Sequence, residues 1–176
     1  MPRILPVDPA TATGRAKEIF EGPLKGKHFN IFQSMAAAPA VLDTYLAMSG
    51  ALNGTSLSAK EREVIQLAVG EANNCGYCVA AHTVIGKGSG LTETQTIEAR
   101  RGKLTDPKLN ALSRFALALH EKRGFISDSD ARDFQAAGYS QGQMGEVVAT
   151  YALAVFTNYF NHLNNTALDF PLAPVL

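Results

Sequence analysis

Only two cysteines occur among the 176 residues, and both lie in one short stretch. Two cysteines cannot staple a domain of this size, so an apolar core must hold it together, and 46% hydrophobic residues are enough to build one. An excess of one charge is also missing. Sixteen basic and sixteen acidic residues leave a formal net charge of zero, which removes the electrostatic reason to bind nucleic acid or anionic lipid. No run approaches the ~20 apolar residues that span a bilayer, and the start, MPRILPVDPATATGR, has no apolar stretch of signal-peptide length. These absences point to a cytoplasmic protein with neither a membrane nor a nucleic-acid partner. In a reducing cytosol, a cysteine pair serves redox or metal chemistry rather than a permanent cross-link.

Strand signals are lacking as well. No segment alternates apolar and polar residues between hairpin dipeptides, and no low-complexity stretch or repeat stands out. The fold class expected is all-α, with residues 1–11 as an extended, proline-containing arm free to pack against a neighbour and residues 12–176 as a single helical domain. Helical spacing of Ala16, Ile19 and Phe20 places a short helix near 12–21, and NIFQSMAAAP and the segment after Pro39 read as two more. Ser58 with Glu61, Thr92 with Gln95 and Ser140 with Gln143 have the spacing of capping boxes. They open helices to about Asn73, over 92–102, and through the long run ending HLNN. Another helix runs from about Gly76 to Lys87, stopped by GKGSGL, and another from Pro107 to about Arg123.

The stretch NNCGYCVAAH, residues 73–82, holds Cys75, Cys78 and His82. A structural zinc takes four thiolate or imidazole ligands, and no second C-x-x-C is present. Cys75, Cys78 and His82 with Glu63 or Glu71 still leave a mononuclear metal site open. In a redox reading, cysteines three apart at a helix start reach disulfide distance, and the helix dipole favours thiolate there. His82 follows Cys78 by one turn on the same face and can serve as its base. A free thiol, with a pKa of about 8.5, is only a few per cent ionised at neutral pH and needs that help. A carboxylate on the preceding helix would orient the imidazole; Glu63 and Glu71 are both candidates, and spacing alone does not choose between them.

The run EREVIQLAVGEANNCGYCVAAH resembles the core of the alkylhydroperoxidase AhpD-like family, within the carboxymuconolactone decarboxylase superfamily. Glutamate, C-x-x-C twelve residues on, and histidine four after the second cysteine are met by Glu63, Cys75, Cys78 and His82. The ending FTNYFNHLNNTALDFP is similar to the last helix and tail of the peroxidase-related branch. The resemblance implies an AhpD-like helical bundle, a homo-oligomer, and an oxidoreductase that reduces hydroperoxides with no haem, metal or other cofactor. In it, Cys78 attacks the peroxide, Cys75 resolves the intermediate, Glu63 and His82 relay protons, and an external thiol or protein reductant reopens the disulfide. A decarboxylase reaction fits less well, because nothing in that chemistry asks for a dithiol. Two other classes remain beside it: a redox-sensing or disulfide-carrying protein that hardly turns over, and the metal site. Tyr77 stands where some members have a histidine, so that imidazole's help is absent; Tyr77 could donate to a peroxide oxygen or only pack the site.

The remaining histidines read as structural. His120 lies at the border of its helix's apolar face, His28 in a loop, and His162 near the end of the long helix, where a cation suits the dipole, with a place lining the site as its second reading. Phe156, Tyr159 and Phe160 read as core or subunit interface. Gly86, Gly88 and Gly90 lack dinucleotide-fingerprint spacing and read as a helix stop.

Overall fold

In the computed structural model, which describes all 176 residues, the chain forms nine α-helices and no strand. They are α1 (Gly14–Glu21), α2 (Asn30–Met35), α3 (Pro39–Leu52), α4 (Ala59–Ala72), α5 (Gly76–Gly88), α6 (Glu93–Arg100), α7 (Pro107–Glu121), α8 (Asp128–Ala136) and α9 (Gln141–Asn164). The three capping boxes form at the expected residues. At α4, Ser58 N–H donates to Glu61 Oε2 at 2.8 Å and Glu61 N–H to Ser58 Oγ at 3.2 Å, satisfying two donors that a helix start leaves free. Pro39 and Pro107 sit in first turns, where no N–H is needed. α2 stops at Met35, short of the apolar run, because Ala38 precedes a proline and is extended (φ −131°, ψ 90°).

One helix has no counterpart in the sequence reading. α8 buries a single residue, Phe134, so it carries no apolar period to detect. It is started by Ser127 and Asp130, a capping box with aspartate as the returning carboxylate, and pinned by ring stacking of Phe134 on Phe115 and Tyr139, at centroid distances of 4.4 and 4.5 Å.

α4 lies at the centre and packs against α5, α6, α7 and α9. Its Val64, Ile65, Leu67 and Val69 are fully buried, and with Leu112, Phe115, Phe134 and Val147 they form the larger apolar cluster. A second cluster gathers Ile19, Phe20, Phe32, Met35 and Leu42 from α1 to α3. The cavity described below is bordered by the second cluster. The N-terminal arm is bound to its own chain: Val7 N–H donates to the Gln33 carbonyl at 2.9 Å, and Arg3 N–H to that of Asn164 at 3.0 Å. The Arg3 guanidinium caps the carbonyl end of α9 through His162 O (3.2 Å) and Leu163 O (2.6 Å), giving the dipole there its cation. No helix is long and apolar enough to cross a membrane.

Candidate active site

The turn between α4 and α5 sets the geometry of the cysteines. Asn74 takes a left-handed conformation (φ 54°), which asparagine tolerates better than most residues. The reversal lets Cys75 N–H donate to the Gly70 carbonyl at 2.8 Å. Cys75 is the N-cap of α5, its sulfur accepting from Cys78 N–H at 3.4 Å. The two cysteines are joined by a disulfide, with Cα atoms 5.3 Å apart. Both are buried, but only Cys78 lines the cavity.

α4 and α5 run antiparallel in close contact, with one glycine on each helix at the seam. A Cβ on Gly70 would meet Cys78 Cβ at 3.6 Å, and one on Gly86 would meet Glu63 Cβ at 3.6 Å and Leu91 Cδ1 at 3.0 Å. At this seam His82 Nδ1 lies 2.8 Å from Glu63 Oε2, with the two side chains only 18% and 13% exposed. Shielding from water strengthens the contact and fixes the ring. With the shared proton on Nδ1, Nε2 is left as the proton acceptor. Glu71, beside the Cys75 turn, is engaged elsewhere: Arg100 Nε donates to Glu71 Oε2 at 2.8 Å, and Arg100 Nη1 to the Pro174 carbonyl at 2.6 Å. The structure therefore brings Glu63, Cys75, Cys78 and His82 together and leaves Glu71 outside. No set of three or more His, Cys, Asp or Glu side chains is arranged to hold a metal ion; the sulfurs are bonded to each other and the Glu63 carboxylate is turned to imidazole nitrogen.

Two further residues at the site are absent from the sequence reading. Asn161 of α9 donates from Nδ2 to Cys78 Sγ at 3.3 Å. Its Oδ1 has no partner, so the sulfur contact is the one hydrogen bond of this side chain. A signal existed: Asn158, Asn161 and Asn164 recur every three residues in an apolar helix, and all three are buried. The second is Asp169 of the C-terminal tail, which accepts from Tyr77 Oη at 2.5 Å and from Asn30 N–H at 2.9 Å. Burial and the neighbouring Asp169 carboxylate raise the Tyr77 pKa well above that of a free phenol, so Tyr77 stays a donor. Its hydroxyl is thereby committed to Asp169 while its ring lines the cavity. Burial likewise raises Tyr45.

Asn161 gives the first testable consequence. A donor on sulfur gains most when that sulfur is charged, by about 1.5–3 kcal/mol for a hydrogen bond to a charged group. In reduced Asn161→Leu, alkylation of Cys78 by iodoacetamide at pH 7 is expected to slow by roughly tenfold and to recover at high pH, where the thiolate forms unaided. An unchanged rate across pH would mean that the contact does not act on the thiolate.

The other histidines lie elsewhere. His120 Nδ1 is 3.1 Å from Tyr151 Oη, His28 Nε2 is 3.4 Å from the Phe20 carbonyl, and neither they nor His162 lines the cavity. Phe156 and Phe160 pack on the N-terminal cluster, whereas Tyr159 is exposed. The cavity encloses about 350 Å³ between α2 and α3 on one side and α4, α5 and α9 on the other.

Residues 39–122, which contain Glu63, Cys75, Cys78 and His82, match the carboxymuconolactone decarboxylase family. Over nearly the whole chain, the fold matches a structure described as an alkylhydroperoxidase AhpD core, an uncharacterized peroxidase-related protein from Ralstonia eutropha JMP134. The TM-score is 0.83 at 22% identity, covering 94% of this chain and 92% of that one. The chain has the AhpD-like fold, and its central segment matches the carboxymuconolactone decarboxylase family. The chain also superposes on an uncharacterized peroxidase-related protein from Silicibacter sp. TM1040, with a TM-score of 0.79, 19% identity, and coverage of 94% and 92%. A third similar structure is the debrominase Bmp8, a cysteine-to-alanine variant in complex with 2,3,4-tribromopyrrole, with a TM-score of 0.78, 16% identity, and coverage of 95% and 91%. These identities speak to the fold. No curated protein matches the chain significantly.

Proposed function

We propose that this AhpD-like protein is a thiol-dependent peroxidase. The observation that carries the reading is the Cys75–Cys78 pair, with Cys78 at the cavity wall and His82, one helical turn on, held by Glu63. His82, oriented by Glu63, takes the proton of the Cys78 thiol. The thiolate attacks the terminal oxygen of the hydroperoxide, the O–O bond breaks, and the alkoxide leaves as an alcohol with the proton from His82. Cys78 is now a sulfenic acid. The Cys75 sulfur attacks it, the disulfide forms, and water departs, so that one hydroperoxide and two thiols become one alcohol, one water and one disulfide. An external thiol or protein reductant returns the two electrons. The helix start supports thiolate at Cys78 through its dipole, as does the Asn161 donor.

The same reading places the protein in the reducing cytoplasm as a homo-oligomer. The exposed apolar residues Val148, Tyr159 and Leu163 on α9 support an interface. One structural neighbour is a debrominase, so the fold does not by itself name the reaction. The test is chemical: one equivalent of hydroperoxide added to the reduced protein is expected to remove both thiols and to lower the mass by two hydrogens. Continued consumption with excess dithiol marks an enzyme. A single oxidation without steady state marks a disulfide carrier or sensor, and thiols untouched by peroxide would end the reading.

A further inference from the structure

Five aromatic rings, Phe29 and Phe32 at α2, Tyr45 on α3, Tyr77 on α5 and Phe170 in the C-terminal tail, form a continuous chain in the cavity lining. Tyr45 contacts Phe32 at a centroid distance of 5.0 Å, Phe32 contacts Phe29 at 5.9 Å, Phe29 contacts Phe170 at 4.8 Å, and Phe170 meets Tyr77 edge-on at 5.8 Å. All five line the same cavity as Cys78 and His82. α9 and α5 also contribute the smaller side chains Thr150, Leu153, Thr157 and Ala81 to the lining. Rings that only stabilise a core interdigitate until the space is filled; these border about 350 Å³ of open space. A space lined by linked aromatic rings and small side chains leaves a slot suited to a flat ring, which gains offset or edge-on contacts beyond simple burial.

Size narrows the choice. A cavity of ~150 Å³ already holds benzene, and ligand clefts begin at ~300 Å³, so this one fits a single ring with a short branched substituent. Hydrogen peroxide would touch little of it.

The wall is completed by the C-terminal tail, which is anchored on both sides of Phe170. Asp169 binds Tyr77 Oη and Asn30 N–H, Asn30 Nδ2 donates to the Ala167 carbonyl at 3.1 Å, and Arg100 holds the Pro174 carbonyl. Phe170 is thus held against Phe29 and Tyr77 by polar contacts that leave its ring available to the cavity.

We propose that the site is built for arylalkyl hydroperoxides, with Phe170 as a specificity-determining residue; the catalytic part of this rests on the peroxidase reading above. The aromatic ring occupies the slot along Phe29, Phe170 and Tyr77, while the hydroperoxide group reaches Cys78. Two measurements on the full chain test it. In the first, kcat/KM is compared for cumene hydroperoxide, tert-butyl hydroperoxide and hydrogen peroxide. The wild type is expected to favour cumene over tert-butyl hydroperoxide by about tenfold, a difference of ~1.4 kcal/mol. Phe170→Leu, which keeps apolar bulk but loses the ring, is expected to lose most of that preference. In the second, binding of the product alcohol, 2-phenyl-2-propanol, to the oxidised protein is followed by calorimetry; wild type binds it and Phe170→Leu binds it several-fold more weakly. Equal kcat/KM for the cumyl and tert-butyl substrates, or a preference indifferent to Phe170→Leu, would overturn the proposal while leaving the peroxidase reading intact. Absence of turnover with all three hydroperoxides, beside alcohol binding that depends on Phe170, would retain the aromatic site and end the peroxidase reading. Failure to bind the alcohol overturns the aromatic site.

Discussion

Cys78→Ser is expected to abolish hydroperoxide consumption, with kcat/KM falling by about three orders of magnitude or more, because a serine hydroxyl at neutral pH is not an ionised nucleophile. Cys78 is the cysteine that borders the cavity, is touched by Asn161 and lies one turn from His82. Cys75 is the N-cap and lies outside the cavity. Cys75→Ser should therefore behave differently: one equivalent of peroxide is consumed, the sulfenic acid on Cys78 persists, and dimedone traps it. Sulfenic acid found on Cys75 in the Cys78→Ser protein, with peroxide still consumed at the wild-type rate, would reverse the assignment. Because a disulfide-bonded pair also stabilises the chain, thermal unfolding of both variants in the reduced state is the control that separates chemistry from folding.

His82→Asn is expected to lower kcat/KM by roughly 10²–10⁴-fold, the usual contribution of a positioned acid–base group. Asparagine keeps a polar side chain beside Glu63, so the partly buried carboxylate is not left bare. Glu63→Gln should cost less, about tenfold. The amide oxygen can still accept from His82 Nδ1, but the negative charge that stabilises the imidazolium after it takes the thiol proton is gone. The decisive readout is the pH profile. In both variants the loss should shrink as pH rises and the thiol ionises without a base, whereas a purely structural defect would depress activity equally at every pH. Glu71→Gln serves as the contrast, since its carboxylate is engaged by Arg100; it should alter stability more than the pH profile.

Much of this was legible in the chain because it depends on local spacing. Capping boxes lie within four residues, so Ser58, Thr92 and Ser140 marked their helices correctly. The relation of Cys75 to Cys78, and of Cys78 to His82, follows from helical geometry alone once α5 begins at Gly76. α8 escaped notice for the same reason in reverse. Its one buried residue offers no period, and its place is decided by packing on Tyr139 just beyond its end and on Phe115 of the preceding helix.

By itself, then, the sequence determined an all-helical chain and a dithiol with a histidine one turn on, since these need only the pitch of one helix. Tertiary packing decided the rest. Glu63 rather than Glu71 meets His82 because the packing of α4 on α5 sets Glu63 beside the ring, while Arg100 engages Glu71. Asn161 reaches Cys78 from 83 residues away, and Phe170 joins Phe29 from across the fold. The side-chain pattern of one helix does not specify which neighbour lies across the interface; that is chosen when the helices pack together.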